Sequence, residues 1–252
     1  MKYFIATYIL LYSFCTQIHA QARLSVGIKA GTNTPGLGIN SSDPVIDGFK
    51  TILEPYYGIV LETGLNKKWS LLTEVNYAIL GITKNGSQVV PKSTYTGYEF
   101  GTLILPEHVY ANFYSKIELN YIEIPCMLKY NFYQNKKLNI FFNAGPSVSV
   151  LLNAKVNTSG KGKIYSDEAH KTTITPFNFS FIHETDLTDW FNPLNFAFQG
   201  GAGLTYKTHT GDFFVNLEGN IGLMKIQAGN GDGSNNTKAL NLSVGYLYHI
   251  WQ

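Results

Sequence analysis

The sequence predicts an all-β fold: an antiparallel up-and-down transmembrane β-barrel, most simply of eight strands, with long extracellular loops and short periplasmic turns. Three observations predict it. Eight stretches alternate apolar and polar residues with period two. Their connections run long and short by turns. Several stretches extend for about 10 to 15 residues, where a soluble strand stops at about 5 or 6 and a tilted membrane strand needs about 9 to 11.

The chain opens on Lys2, an apolar run from Tyr3 to Phe14, and Ile18-His19-Ala20 ahead of Gln21, the pattern of a secretory signal cleaved after residue 20. The run is shorter than the roughly 20 residues of a spanning helix. Residues 21–252 are then one barrel domain. Cys15 falls within the signal, and Ser13-Phe14 ahead of it lacks the small residue that lipid attachment needs. Cys126 is left as the single cysteine of the exported chain, so no intrachain disulfide can form. A closed ladder of backbone hydrogen bonds is the remaining way to stabilise it.

The first strand, Ala22 to Gly31, sets Leu24, Val26, Ile28 and Ala30 against Arg23, Ser25, Gly27 and Lys29. The second, Pro55 to Thr63, sets Tyr57, Ile59 and Leu61 against Gly58 and Glu62, and the third, Trp69 to Leu80, sets Leu71, Val75, Tyr77 and Ile79 against Ser70, Glu74, Asn76 and Ala78. In the fourth, Ile117 to Phe132, Ile122, Ile124, Cys126, Leu128 and Tyr130 oppose Tyr121, Glu123, Pro125 and Lys129. The fifth, Leu138 to Leu152, turns Ile140, Phe142, Ala144, Val148 and Val150 away from Asn139, Asn143, Ser147 and Ser149. The sixth, Asn195 to Lys207, has Phe196, Phe198, Ala202, Leu204 and Tyr206 opposite Gln199, Gly201, Gly203 and Thr205. The seventh, Phe213 to Lys225, has Val215, Leu217, Ile221 and Leu223 opposite Asn216, Glu218 and Asn220; the eighth, Lys238 to Trp251, alternates Leu240, Leu242, Val244, Tyr246, Tyr248 and Ile250 with Asn241, Ser243, Gly245 and His249. Pro125 and Pro146 interrupt strand patterns and call for a bulge or a position near a rim.

Composition agrees with this arrangement. Charged residues make up 14% of the chain against about 25% in an ordinary soluble domain, while aromatics also reach 14%. A formal net charge of +2 gives no basis for binding nucleic acid. A charge on the lipid face at mid-bilayer costs on the order of 2 to 4 kcal/mol, so Lys29, Glu62, Glu74, Glu123, Lys129 and Glu218 should point inward. Parity puts all of them there. Opposite charges in so narrow a lumen pair and fill it, which makes a structural plug; a gated proton or ion path is the sharper alternative. Trp69, Tyr77, Tyr130, Tyr206, Tyr246, Tyr248 and Trp251 near strand ends fit interfacial girdles.

Gly64 to Lys68, Tyr133 to Lys137 and Lys207 to Gly211 read as tight turns, and Thr32 to Leu53, Gly81 to Lys116, Asn153 to Pro193 and Gln227 to Thr237 as long loops. Short turns of such barrels lie in the periplasm and long loops outside, so both termini are periplasmic and the loops meet any ligand. Tyr95 to Leu105 and Ile174 to Ile182 have some strand character, and a hairpin there would give ten strands, extending the barrel above the membrane or widening it.

The segments Val26 to Asn33, Asn120 to Tyr130, Asn143 to Ser149 and Gly200 to Leu204 together resemble the PorT-like outer-membrane β-barrel family of Bacteroidetes. The most specific part is Tyr121-Ile122-Glu123-Ile124-Pro125, with Gly145-Pro146 following. The chain departs from the family in Cys126-Met127 and in ending on Trp251-Gln252. The resemblance implies the barrel architecture and the bacterial outer membrane; a tie to protein secretion belongs to the namesake alone.

The reading that follows is an outer-membrane barrel with a structural, binding or accessory transport role, without catalysis, cofactor or metal. Its partners are outer-membrane lipid and lipopolysaccharide, with a periplasmic or secretion-apparatus protein as a further candidate. A soluble lipocalin-like carrier of an apolar ligand would alternate in the same way but needs a charged outer face, which this chain lacks. A barrel enzyme acting on lipid A could draw on His108, His170, His183, His209 or His249 with a serine, yet no Gly-x-Ser-x-Gly elbow occurs. His183-Glu184 with Asp186 and Asp189 matches no standard metal spacing, and Gly229 to Ser234 is similar to a calcium loop without its downstream acidic ligand.

Overall fold

The computed structural model describes residues 23–36, 49–90, 108–175, 177–228 and 236–251. Eight long strands form the barrel: β1 (Leu24–Pro35), β2 (Glu54–Gly64), β3 (Trp69–Val90), β4 (Val109–Gln134), β5 (Leu138–Ser159), β6 (Leu194–Lys207), β7 (Gly211–Gly222) and β8 (Lys238–Trp251). Each pairs antiparallel with the next, and β8 returns to β1 to close the ring. Closure leaves no edge within the membrane, where an unpaired backbone group would find no water. The signal expected over Met1 to Ala20 lies outside the described residues, as do Tyr95 to Leu105 and Gly229 to Ser234.

Alternation decides which face meets lipid. On β3, Trp69, Leu71, Val75, Tyr77 and Ile79 face out, while Ser70, Leu72, Glu74, Asn76, Ala78 and Leu80 are buried inside. The outward apolar set ends at Ile79; beyond it, Gly81, Thr83, Asn85 and Ser87 occupy the same face. On β4 the corresponding switch falls at Asn120, and on β5 at Asn153. These polar residues join across the strands: the Tyr77 hydroxyl donates to Asn120 Oδ1 at 2.7 Å, and Asn120 Nδ2 donates to Asn153 Oδ1 at 2.7 Å. A bulge at Leu152, where Asn120 pairs with Asn153 but Tyr121 with Leu151, reverses the parity of β5 at that level. It keeps Ala154 inside while Asn153 and Lys155 turn to water.

Two expected loops begin as continuations of strands. The ladder between β3 and β4 continues without a break in register from Leu80 opposite Leu119 to Val90 opposite Val109, and β5 follows β4 as far as Ser159. At about 3.3 Å per residue and a tilt of about 45°, the stretch from Leu80 to Val90 carries the sheet about 25 Å past the lipid level. On β4 the alternation inverts there, with Val109, Ala111 and Phe113 buried inward and Asn112, Lys116 and Glu118 on the opposite face, so the outward apolar pattern ends where lipid ends while the backbone ladder continues. The ring therefore keeps eight strands, and the described residues of Gly81 to Lys116 are an extension of β3 and β4. Within Ile174 to Ile182 only Phe179–Ser180 is strand; it pairs with Lys161–Gly162, while His183–Asp186 pairs with β5.

The long 160–193 connection folds back on this sheet. Val90, Val109, Ala111, Phe113, Ile164, Phe179 and Phe181 form a buried core, with the rings of Phe113 and Phe181 stacked at 5.1 Å. Gly160 starts the return at φ +150, and a Cβ there would stand 3.1 Å from Phe113.

The prolines are accommodated otherwise than expected. Neither sits at a bulge: pairing of β3 with β4 lapses between Thr73–Cys126 and Asn76–Glu123 in constant register, and pairing of β4 with β5 lapses between Pro125–Ser147 and Leu128–Ala144. Each gap borders the proline whose N–H is missing. The short turns are built alike, with Asn66 Oδ1 accepting from the N–H groups of Lys68 and Trp69, and Asn135 Oδ1 from those of Lys137 and Leu138.

Candidate functional site

The lumen is stacked in layers. Nearest the short turns, Lys129 Nζ meets Glu62 Oε2 at 2.9 Å and lies over the Phe141 ring at 4.3 Å. Val60, Leu72, Met127, Phe214 and Leu247 form an apolar layer. Above it Lys29 Nζ lies 2.5 Å from Glu74 Oε2 and 3.2 Å from Glu218 Oε2, with the Tyr56 ring at 4.8 Å. Leu80, Leu119, Tyr121, Leu151 and Ala154 form a second apolar layer over this cluster.

Asparagines complete the charged layer. Asn76 Nδ2 donates to Glu74 Oε2 at 2.9 Å, Asn143 Nδ2 to Glu218 Oε1 at 2.9 Å, and Asn220 Nδ2 to Glu123 Oε1 at 3.5 Å. Lys29, Glu74, Glu123 and Glu218 are each at most 4% exposed. Four strands supply one cation and three carboxylates to one level, so Lys29 is the hub. The six charged residues thus separate into two groups: Lys29 with Glu74 and Glu218 and with Glu123 alongside, and Glu62 with Lys129. The amide partners carry a weak sequence signal, because Asn76, Asn143 and Asn220 stand at inward parity positions beside the carboxylates. The apolar lumen residues had none, since Leu72, Met127 and Phe214 interrupt a face that otherwise reads as polar.

The motif residues divide by face. Tyr121 belongs to the upper apolar layer, and Glu123 and Pro125 follow it inward; Ile122 and Ile124 turn to lipid. A Cβ on Gly145 would stand 2.1 Å from the Cys126 carbonyl oxygen, so the β4–β5 approach needs glycine there. Pro146 faces out.

Outside the membrane, the geometry engages the histidines and carboxylates that the sequence left scattered. His170, held at φ 56, stacks on Tyr165 at 4.2 Å; its Nε2 meets Ser87 Oγ at 2.9 Å and its Nδ1 meets Asn112 Nδ2 at 3.2 Å. Both ring nitrogens therefore tie the returning segment to the extensions of β3 and β4, while the ring face packs on Tyr165 within that segment. Asp167 accepts from the N–H groups of Lys171 at 2.9 Å and Thr172 at 2.7 Å, which holds its carboxyl below the ordinary aspartate value. Asp186 is held low in the same way by the Thr188 hydroxyl and N–H. Glu184 pairs with Lys155 at 2.6 Å. At the other end His249 bridges Ser25 Oγ at 3.1 Å and Asp212 at 3.3 Å.

Among solved structures, the chain is similar to the attachment invasion locus protein Ail of Yersinia pestis, at 12% identity and a TM-score of 0.40, covering 91% of this chain and 100% of that one. It is also similar to Neisserial surface protein A at 12% identity and a TM-score of 0.47, covering 92% and 100%. A third is the N-terminal β-barrel domain of Pseudomonas aeruginosa OprF, at 13% identity, a TM-score of 0.40, and coverage of 90% and 100%. No curated protein matches the chain. Residues 17–228 match the family described as outer membrane protein beta-barrel domain, and with its closed eight-stranded ring and lipid-facing apolar belt the chain belongs to that family and to the outer membrane.

Proposed function

We propose that this protein is a non-catalytic surface-binding barrel: the lumen is a structural plug, and the extracellular sheet built on β3, β4 and β5 carries the recognition. The observation behind this reading is the contrast between the two parts. The lumen holds the Lys29 cluster between two apolar layers and the Lys129–Glu62 pair beneath them, whereas the sheet outside projects with a hydrophobic core of its own. The Ser87–His170 pair supports a fastening role, since both imidazole nitrogens are engaged and the ring lies flat on Tyr165. Export by a signal cleaved after Ala20, leaving residues 21–252 as a single barrel domain, belongs to the same proposal. So do lipopolysaccharide as a neighbour and the finer PorT-like assignment, for which Tyr121 to Pro125 is the support.

The test is complementation. A variant in which Lys84 to Ser115 is replaced by a short glycine-containing turn should still run as a heat-modifiable barrel and should fail to restore the adhesion or uptake defects of a deletion strain. Full restoration by the trimmed barrel would refute a role for the sheet. Stepwise conductance of the intact protein in planar bilayers would refute the plug and favour the ion path.

A further inference from the structure

The basic residues are distributed unevenly. Among the described residues, the rim made by the short turns carries Arg23, Lys67, Lys68, Lys136, Lys137 and Lys207 against one carboxylate side chain, Asp212, which is already engaged by His249. Among the described residues beyond the Tyr77–Asn120–Asn153 level, lysines and carboxylates nearly balance, nine to seven. The net charge of the barrel is therefore concentrated at the periplasmic end.

These cations are held in place by the rim itself. Gly64 N–H donates to the Arg23 carbonyl at 2.8 Å, Asn131 N–H to that of Lys68 at 2.8 Å, and Lys207 N–H to that of Lys137 at 2.7 Å. Neighbouring turns are thus joined into a continuous hoop, and cations occur at every junction from β1 round to β6. Immediately on the membrane side lie aromatic pairs: Trp69 with Tyr130 at 4.6 Å, Phe132 with Phe142 at 5.0 Å and Phe213 with Tyr246 at 4.8 Å. Aromatic rings seat at the headgroup level, and lysine and arginine stems reach from there to charged headgroups.

We propose that this hoop is a binding surface for the phosphodiester headgroups of anionic phospholipids in the periplasmic leaflet. The proposal rests on the reading of the chain as a membrane barrel. A soluble acidic protein would approach from below and engage one side of the rim, whereas the cations run from β1 round to β6 just beneath the aromatic pairs of β3, β4, β5, β7 and β8. A leaflet meets a barrel in that way, round most of its circumference and at one height.

The three tryptophans supply the test. Trp69 and Trp251 stand at the rim end and Trp190 on the extracellular side. The exported chain carrying Trp190→Phe, refolded in phosphatidylcholine vesicles, reports on the rim; a Trp69→Phe/Trp251→Phe variant reports on the opposite end. Brominated phosphatidylglycerol should quench the rim reporter at least about two-fold more effectively than brominated phosphatidylcholine. That ratio should fall towards one in a Lys67→Gln/Lys68→Gln/Lys136→Gln/Lys137→Gln background and at high salt. It should be close to one for the Trp190 reporter and should survive inorganic phosphate at matched ionic strength. Equal quenching by both lipids at the rim, a ratio unaffected by the glutamines, or equal selectivity at Trp190 would overturn the proposal. Loss of selectivity in inorganic phosphate alone would make the hoop a free-phosphate site and overturn it too. Absence of quenching by either lipid would instead overturn the membrane-barrel reading, so the two failures are distinguishable.

Discussion

Replacement of Lys29 by methionine tests how the lumen is held together. Methionine keeps the apolar stem and most of the length, so the change is chiefly one of charge. At an effective dielectric constant of about 20, unit charges about 3 Å apart attract by roughly 5 to 6 kcal/mol, and Lys29 has two such contacts, with Glu74 and Glu218. Desolvation of each ion costs several kcal/mol, so the intact cluster contributes little net stability. Removing its cation is a different matter: the carboxylates then face one another between apolar layers, and loss of one partner from a buried pair costs about 3 to 5 kcal/mol. Lys29→Met/Glu74→Gln/Glu218→Gln removes the directly paired charges together, leaves Glu123 with Asn220, and provides amide groups for Asn76 and Asn143, so it should recover most of that loss. The assay is reversible guanidinium unfolding of protein refolded in phospholipid vesicles, followed by tryptophan fluorescence. A loss below about 1 kcal/mol for Lys29→Met, or a triple variant as weak as the single one, would refute a sealed, Lys29-centred plug.

Gly245→Ala should destabilise the barrel by about 1 to 3 kcal/mol in the same assay, because the new Cβ would stand 2.4 Å from the Phe214 ring and 2.5 Å from the Ile28 carbonyl oxygen. Phe214→Leu should rescue this only in part, since the backbone contact persists; complete rescue would show that the strands move apart freely. Pro125→Ala gives the lapse between β3 and β4 the N–H it lacks, and the new amide should exchange slowly with deuterium; fast exchange would mean that something other than the missing donor holds the gap open. Asp167 and Asp186 have depressed folded-state values, so their stabilisation is present above the ordinary aspartate value of about 3.9 and is lost as pH falls through the lower folded value. Acidification through that window should speed proteolysis within 160–193 in the wild type, and Asp167→Asn/Asp186→Asn should remove that step; an unchanged pH profile in the variant would contradict it.

The expected strand faces could be read residue by residue because lipid imposes the harshest rule that a side chain meets. Ile28, Phe198 and Val244 must face hydrocarbon, and their neighbours Lys29, Gln199 and Ser243 must then face in. The tight turns were equally readable, since Asn66 and Asn135 cap them locally. The pairing of Lys29 with Glu74 and Glu218 was not: parity places a charge inside, but the partner depends on register between strands 45 and 189 residues apart. The extracellular continuations of β3, β4 and β5 were read as loop because the outward apolar residues that mark a membrane strand stop at the Tyr77–Asn120–Asn153 level.

By itself, the sequence determined the class of fold and the face each membrane residue presents, because both follow from local period and the cost of charge in lipid; the choice of eight strands over ten came from the closed ladder. Tertiary structure alone decided which charges meet, how apolar layers enclose them, and how far β3, β4 and β5 continue beyond the membrane. Those outcomes depend on shear, bulges such as Leu152, and packing of Phe113 against Phe181, which arise only when distant strands are brought into register.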